Sequence, residues 1–565
     1  MRFHRYRYRP RVWAAAALVA AASLITLSLT AQAGAADGQV VAAQVLVPRQ
    51  ATSAPSRTLP AAALAVGEDD GADCAVPNPG SPAASSMLPD PFKRLNGTRI
   101  SAKSDWRCRR AEIRDLAQRS VYGQKPARPA SVTGTVSASS ITVNVSDQGR
   151  SASFSASVSL PSGSGPFPAV IVLGGLGADT ATIKASGVAV INYDPYSVGK
   201  EGTARNNKQG AFYSVYGSSS STGLLMAWSW GVSRIIDVIE QSGGSILKAS
   251  ATGVTGCSRF GKGAIVAGAF DQRVALTMPI ESGSGGVPIL RGIPGESGAQ
   301  PLSSAYSEQP WLGDAFGSYT GNPNSLPVDT HEILGMVAPR GLFVMENPYV
   351  DWLAARSGSV AALGAAEVYK ALGAGSNISY WSDVPDGTHC AVRSEWKTPL
   401  QQSIQKFLLG TGSGSGVFRI APGKSGNLST WRDWQTPTLT DGGGGDPGGG
   451  PGGDPGGDPG GGGTNGTCTA GYRNVNSWPG GFQGEMTIRN NGTSTLNGWT
   501  VGMTLGSGQS ISSLWDGVNT GTSGSVTVRN SPYNGTLAAN GTATFGFTAT
   551  GNSTPAPGNI TCKSP

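Results

Sequence analysis

The stretch ATGVTGCSRFGKGAIVAGAF, residues 251–270, decides how the chain folds. Its first part, ATGVTGCS, reads as a buried strand and its last part, KGAIVAGAF, as a helix. Between them stands Ser258, and Gly256 and Gly261 supply the small neighbours that a sharp strand-to-helix turn demands. A serine on such a turn exposes its Oγ above the end of a sheet. The spacing is G-x-S-x-x-G where G-x-S-x-G is commoner, so geometry alone also admits an ordinary glycine-rich turn with a surface serine.

Working outward, the same alternation of strand and helix continues in both directions. PAVIVLGGLG (Pro168 to Gly177) is a buried strand entering a glycine-rich turn, and VAVINYD (Val188 to Asp194) is another strand. VALTMPIES (Val274 to Ser282), GLFVMEN (Gly341 to Asn347) and NISYWSDV (Asn377 to Val384) are later strands. GLLMAWSWGVSRIIDVIEQ (Gly223 to Gln241) and VAALGAAEVYKAL (Val360 to Leu372) are helices. Strands alternating with helices predict a mostly parallel sheet covered on both faces, an α/β domain over residues 72–440.

Composition marks the boundaries of that domain. Residues 441–466, DGGGGDPGGGPGGDPGGDPGGGGTNG, contain no apolar side chain and form an extended linker. Residues 37–71 are Ala/Pro-rich without periodicity and are expected to be disordered. After the linker, residues 467–565 carry short alternating runs, TIRN, WTVGMTL, SVTVRN and ATFGFTAT, with Asn-Gly pairs at 491, 497, 534 and 540. This pattern predicts an all-β antiparallel sandwich.

The first 36 residues read as an export signal: an arginine-rich start, an apolar stretch from Val12 to about Leu29, then small residues at Ala31, Ala33 and Ala35. Arg2, Arg5, Arg7, Arg9 and Arg11 supply five of the net +7 charges, leaving about +2 after cleavage. So small an excess, with no Lys/Arg cluster elsewhere, gives no footprint for nucleic acid or for an anionic membrane. The mature chain is expected to be secreted, extracellular and free of the membrane. Six cysteines suit that compartment. Their positions suggest three local pairs: Cys74 with Cys108, Cys257 with Cys390, and Cys468 with Cys562.

A serine nucleophile needs an imidazole, and the chain has only His4, His331 and His389. His4 leaves with the signal, and His331 in DTHEILGM reads as a structural or capping residue. His389, in DVPDGTHCAV after the last strand, stands where α/β-hydrolases carry their base. Cys257 precedes Ser258 and Cys390 follows His389, so a bridge between them would clamp the two turns together. The acid stays open at this point. Glu281 and Glu346 each follow a strand and each could orient the imidazole, while Asp351 and Asp386 are weaker candidates. A cysteine beside the serine could suggest a metal, but no His/Cys spacing supports one, and no cofactor or metal is expected.

GCSRFGKGA, followed in order by TMPIESGSGG, APRGLFV, DWL, DGTHCA and QKFLLG, resembles the glucuronoyl esterases of carbohydrate esterase family 15 from about Cys74 to Gly410. The resemblance implies an α/β-hydrolase fold and hydrolysis of esters between lignin alcohols and the (4-O-methyl)glucuronic acid side chains of xylan. It implies Ser258 as nucleophile, His389 as base and Glu281 as acid, with Arg259 stabilising the oxyanion. By the same match Lys262, Gln300, Glu308 and Trp352 bind the sugar, Lys262 pointing to the mouth of the site. Some relatives carry a further disulfide in this domain. Here the cysteines are already used, which implies freer loops after Gly286.

The tail resembles carbohydrate-binding module family 2 in its terminal cysteines, NSWPGGF, NGWTVGMTL, SLWDG and SPYNGTLAANGTATFGF. That resemblance implies a flat face of Trp478, Trp515 and Tyr533 stacking on cellulose, or on xylan, with Trp499 in the core. Two other functions compete: an esterase for another plant-wall ester such as acetyl xylan, and a carbohydrate-binding protein without activity. Intact Ser258, His389 and Glu281 argue against the second.

Overall fold

The computed structural model describes residues 67–80, 83–412, 414–441 and 468–564, apart from 479, 516, 531–533 and 540. Residues 1–36, expected to be an export signal, most of the Ala/Pro-rich segment and nearly all of the linker lie outside the described residues. The chain forms two compact units that divide at Gly443 and Gly444, inside the Gly/Pro/Asp stretch.

The first unit is built on a ten-stranded sheet among the described residues. Its strands are β1 (Ser131–Val136), β2 (Ser140–Asp147), β3 (Arg150–Ser159), β4 (Phe167–Leu173), β5 (Ala189–Tyr193), β6 (Leu247–Cys257), β7 (Val274–Ile280), β8 (Gly341–Met345), β9 (Ile378–Ser382) and β10 (Phe418–Ile420). The spatial order is β1-β2-β3-β5-β4-β6-β7-β8-β9-β10. Pairings from β5 through β10 are parallel. Strands β1, β2 and β3 form an antiparallel edge that joins β5.

Burial follows this division. Strand β4, FPAVIVL, is buried at every position, because successive side chains point to opposite faces and both faces are covered. Ile171 and Leu173 belong to the core that contains the helix Leu224–Gln241, whereas Val170 and Val172 belong to the core under the helix Ser394–Ile404. In the edge strands every second residue is exposed, as β2 shows with Ile141, Val143 and Val145 inside. The serine-rich strands β1–β3 carry too few apolar residues to stand out as strands in the sequence.

The folded unit begins earlier than composition suggests. Residues 67–71 were expected to be disordered, yet Glu68 is buried against Lys125 at 2.7 Å, against Arg234, and against Arg273 at 3.6 Å. Asp69 pairs with Arg114, and Asp70 with Arg107 and Arg110. The Cys74–Cys108 disulfide closes the same strap. The loops after Gly286, expected to be freer, are held by buried Arg291. It pairs with Asp329 at 2.9 Å and donates to the carbonyls of Ser85 and Leu326.

The second unit is a sandwich of two four-stranded antiparallel sheets. Trp499 is fully buried, stacks on Phe545 at 5.8 Å and donates its indole N–H to the Asn534 carbonyl. Cys468 and Cys562 tie the first strand to the last.

Burial alone would raise the pKa of Glu68, but Lys125 and Arg234 overcome it and hold it at about 2. A carboxylate depressed below its unfolded value stabilises the fold above that value and loses the contribution as pH falls through the folded pKa. Glu68→Gln should therefore lower stability at neutral pH by about 3–5 kcal/mol, because it removes the carboxylate paired with buried Lys125. The difference from wild type should shrink between about pH 4.5 and 2 in urea unfolding followed across pH. Equal unfolding midpoints at pH 7 would show that residues 67–71 are not part of the cooperative unit.

Candidate active site

The site lies at the carboxyl ends of the central strands, where open α/β sheets place their ligands. Strand β6 delivers Ser258, which caps the helix Arg259–Phe270 with φ 59° and ψ −125°. That left-handed, strained backbone costs on the order of 1–3 kcal/mol in a residue with a side chain. The turn can be this tight only because of its glycines. A Cβ on Gly256 would come within 2.7 Å of the Phe260 carbonyl oxygen, and one on Gly261 within 2.6 Å of that of Ile280. The Ser258 N–H donates to the Ile280 carbonyl at 2.9 Å and fixes the turn to β7.

Strand β7 is followed by Glu281, fully buried and itself at φ 44°. Its Oε2 lies 2.7 Å from His389 Nδ1 and accepts the Cys390 N–H at 2.7 Å. The disulfide Cys257–Cys390 joins the neighbours of Ser258 and His389 across 133 residues of sequence. Cys390 has φ 58°, so serine turn, acid turn and histidine turn all carry a left-handed residue other than glycine. The histidine loop is locked from outside by Arg393, which pairs with Asp386 at 2.8 Å and donates to the Thr388 carbonyl at 2.8 Å.

The other carboxylates are engaged elsewhere. Glu346, at the end of β8, accepts from the Ser282 N–H at 3.3 Å and the Ser282 hydroxyl at 3.1 Å. Burial, reinforced by the charge of Glu281, pushes its pKa up to about 8. Asp386 serves Arg393, and Asp351 faces Lys424 at 3.7 Å. His331 is buried, stacks on Trp434 and has Nε2 2.9 Å from the Pro89 carbonyl oxygen. Burial pushes its pKa down to about 4.

Around this centre the structure gathers the residues expected to hold substrate. Arg259 pairs with Glu201 at 2.9 Å, and its guanidinium lies 5.3 Å from the centre of the Trp311 ring. Burial opposes its charge, but the hydrogen bond to Glu201 outweighs that and raises its pKa. Gln300 donates to Glu308 at 2.8 Å, and Glu308 lies 4.0 Å from Arg259. Trp352 is half exposed, with its ring 5.8 Å from that of His389 and nearly perpendicular to it.

Lys262 lies deeper than the other residues expected to bind the sugar. It is buried, and its ammonium donates to the Ser282 carbonyl and lies 5.6 Å from the centre of the Trp311 ring. Burial pushes its pKa down to about 8. From one turn into the helix it reaches the residue after Glu281 and shares the Trp311 ring with Arg259.

Three residues were missed in the sequence. Glu201 accepts from the Tyr196 hydroxyl at 2.8 Å and from the Trp311 indole N–H at 2.5 Å as well as from Arg259, and so sets the guanidinium in place. The loop DPYSVGKEGTAR that carries Tyr196 and Glu201 has no motif. The one available signal was an acidic residue in a chain that is only 14% charged.

Cys257, Glu281, His389 and Cys390 place one potential ligand atom each within 4.8 Å of one another. Both sulfurs are bonded to each other, so this cluster offers no thiolate, and its carboxylate and imidazole already engage one another. The arrangement suits proton transfer: a carboxylate-held imidazole beside a strained serine at a helix N-terminus can carry out acyl transfer. Trp478 and Trp515 are the last residues of the strands Cys468–Trp478 and Ser510–Trp515, which lie in one sheet. Their side chains, and the whole of Tyr533, lie outside the described residues.

Comparison with known proteins agrees with this geometry. Residues 143–373 match the family described as glucuronyl esterase, fungi, and residues 468–563 match the cellulose binding domain. The chain is 39% identical over 376 residues to a 4-O-methyl-glucuronoyl methylesterase of Hypocrea jecorina, covering 66% of this chain and 80% of that protein. The solved catalytic domain of a glucuronoyl esterase from Hypocrea jecorina is 38% identical with a TM-score of 0.60, covering 64% of this chain and 100% of that one. A serine-to-alanine mutant of the Sporotrichum thermophile glucuronoyl esterase, in complex with methyl 4-O-methyl-beta-D-glucopyranuronate, is 37% identical with a TM-score of 0.61, covering 65% and 100%.

The clamp between the catalytic turns is open to direct test. Peptide mapping without reductant should recover the Cys257 and Cys390 peptides joined. Replacing both cysteines with alanine should cost about 2–4 kcal/mol of stability and lower turnover with it. Full turnover in that double variant would show that Glu281 alone aligns the two turns.

Proposed function

Because this chain belongs to the glucuronoyl esterase family, we propose that it hydrolyses esters of glucuronic and 4-O-methylglucuronic acid carried as side chains on xylan. The alcohols released are those of lignin. The observation that carries this reading is the 2.7 Å contact between His389 and Glu281 beside the strained Ser258.

In the proposed reaction His389 Nε2 takes the proton from Ser258 Oγ as that oxygen attacks the ester carbonyl. The resulting oxyanion receives hydrogen bonds from the Arg259 backbone N–H at the start of its helix and from the guanidinium that Glu201 holds. Glu281 stabilises the imidazolium. His389 then protonates the departing alcohol oxygen, the C–O bond breaks, and the uronic acid remains as an ester on Ser258. Water, deprotonated by His389, releases the acid and restores the serine. Lys262, Gln300, Glu308 and Trp352 hold the sugar, Lys262 also donating to the Ser282 carbonyl.

The C-terminal sandwich we assign to attachment at cellulose, with Trp478, Trp515 and Tyr533 as its contact face. Export of the chain is supported by the leader composition and by three disulfides, which persist outside the cell. Among the described residues, no helix is long and apolar enough to cross a membrane.

Ser258→Ala and His389→Ala should each lower kcat by several orders of magnitude, roughly 10³-fold or more, on benzyl glucuronate. Glu281→Gln should lower it far more than Glu346→Gln. Faster turnover of 4-nitrophenyl acetate than of the glucuronate ester by the wild type would favour the acetyl esterase reading instead.

Ending the chain after Thr440 should leave turnover of small soluble esters unchanged and abolish adsorption to cellulose, because a Gly/Pro/Asp linker transmits no fixed orientation. Trp478→Ala with Trp515→Ala should reproduce the loss of adsorption. Undiminished adsorption by that double variant would move the binding face elsewhere.

A further inference from the structure

Beside the active site the first unit holds a cleft of about 570 Å³, within the range of about 300–1,000 Å³ typical of small-molecule sites. Its wall includes Glu296, Asp351, Arg356, Lys424 and Trp431. Two of its segments run straight into the active site: Asp351 immediately precedes Trp352, and Glu296 lies four residues before Gln300. The Gln300 N–H donates to the Trp352 carbonyl at 3.3 Å and ties those two segments together where cleft and site meet.

The chemistry of the wall selects against an ionic ligand. Its two carboxylates and two cations balance. Glu296 accepts the N–H groups of Arg356 and Ser357 at 2.8 Å each, Arg356 donates to the Gly423 carbonyl at 3.0 Å, and Lys424 faces Asp351 at 3.7 Å. Paired charges with spare hydrogen-bonding capacity, in a wall that also includes a tryptophan, suit a neutral polyhydroxylated ligand. We propose that this cleft is a second carbohydrate subsite, which holds a short stretch of the neutral sugar chain bearing the uronic acid whose ester Ser258 attacks. The assignment rests on the esterase reading above for the identity of that chain. Its consequence is that the enzyme recognises the polysaccharide next to the branch as well as the uronic acid.

Gly295 allows a test without disturbing the wall. It also lines the cleft, a Cβ built there meets nothing within 4 Å, and its φ lies outside the left-handed region. Gly295→Trp and Gly295→Phe therefore plug the cleft to different degrees. The full-length protein is assayed on four substrates: methyl and benzyl esters of 4-O-methylglucuronic acid, each either free or borne on xylotetraose. Gly295→Trp should raise KM for both xylotetraose-borne esters by roughly tenfold relative to the free ones, Gly295→Phe by less, with kcat unchanged and no dependence on the alcohol. An unchanged ratio of the two KM values overturns the proposal, as does an effect that follows the alcohol, which would assign the cleft to the leaving group. If the wild type hydrolyses none of the four esters, the reading of the reaction fails. The cleft is then judged by calorimetry with unsubstituted xylotetraose, to which the C-terminal unit contributes equally in wild type and variant. Binding weakened by the plug sustains the subsite, and equal binding removes it.

Discussion

The buried carboxylate of Glu281 is the contact on which the rest of the site depends. One oxygen serves both His389 Nδ1 and the Cys390 N–H at 2.7 Å, so the same charge orients the imidazole and folds the turn that carries it. Hydrogen bonds to a charged acceptor contribute about 1.5–3 kcal/mol each. The left-handed residues Ser258, Glu281 and Cys390 cost on the order of 1–3 kcal/mol each. These magnitudes are comparable, so the catalytic turns hold their shape only with further support. It comes from the Cys257–Cys390 disulfide and from the sheet, where the Ser258 N–H is bonded to β7 and the Glu281 N–H to the Met345 carbonyl at the end of β8.

Much of the fold was legible because its central strands are continuous apolar runs bounded by glycine. PAVIVL and VALTMPI each cover both faces of the sheet, and that needs no tertiary knowledge to see. The edge strands β1–β3 were not visible for the opposite reason. Their alternation sets serine and threonine against a single buried row such as Ile141, Val143 and Val145, and half of such a strand reads as loop. The start of the folded unit was misplaced for an electrostatic reason. EDDGAD at 68–73 looks like a solvated acidic run, and only the fold reveals the cations Lys125, Arg234, Arg107, Arg110 and Arg114 that meet it.

In the active site the nucleophile and base could be read because few residues compete. One serine stands in the glycine turn, and one histidine follows the last strand of the alternating pattern. The acid could not be chosen locally, since Glu281 and Glu346 both end parallel strands. What separates them is the partner each finds, an imidazole for Glu281 and Ser282 for Glu346, and partners are a property of three dimensions. Lys262 shows the converse. Its place on the helix is legible in the sequence, but its burial against Trp311 and Ser282 comes only with the packed fold.

The second carboxyl also explains how a single negative charge is kept beside His389. Two carboxylates on neighbouring strand ends repel one another, and in a buried site one of them gives up its charge. Glu281 accepts hydrogen bonds from an imidazole and a backbone N–H, whereas Glu346 accepts from the amide and hydroxyl of Ser282. Burial and the nearby charge therefore raise Glu346 to about 8, and near neutral pH it is mostly protonated. A neutral Glu346 leaves Ser282 and the chain after Glu281 hydrogen-bonded without adding a second anion to the imidazole. The positive charge of buried Lys262 draws Glu346 the other way, but burial outweighs it. The Lys262 ammonium donates to the Ser282 carbonyl while Glu346 accepts from the Ser282 N–H and hydroxyl, so the residue that follows the acid is held through its carbonyl, its amide and its side chain by one helix turn and one strand end.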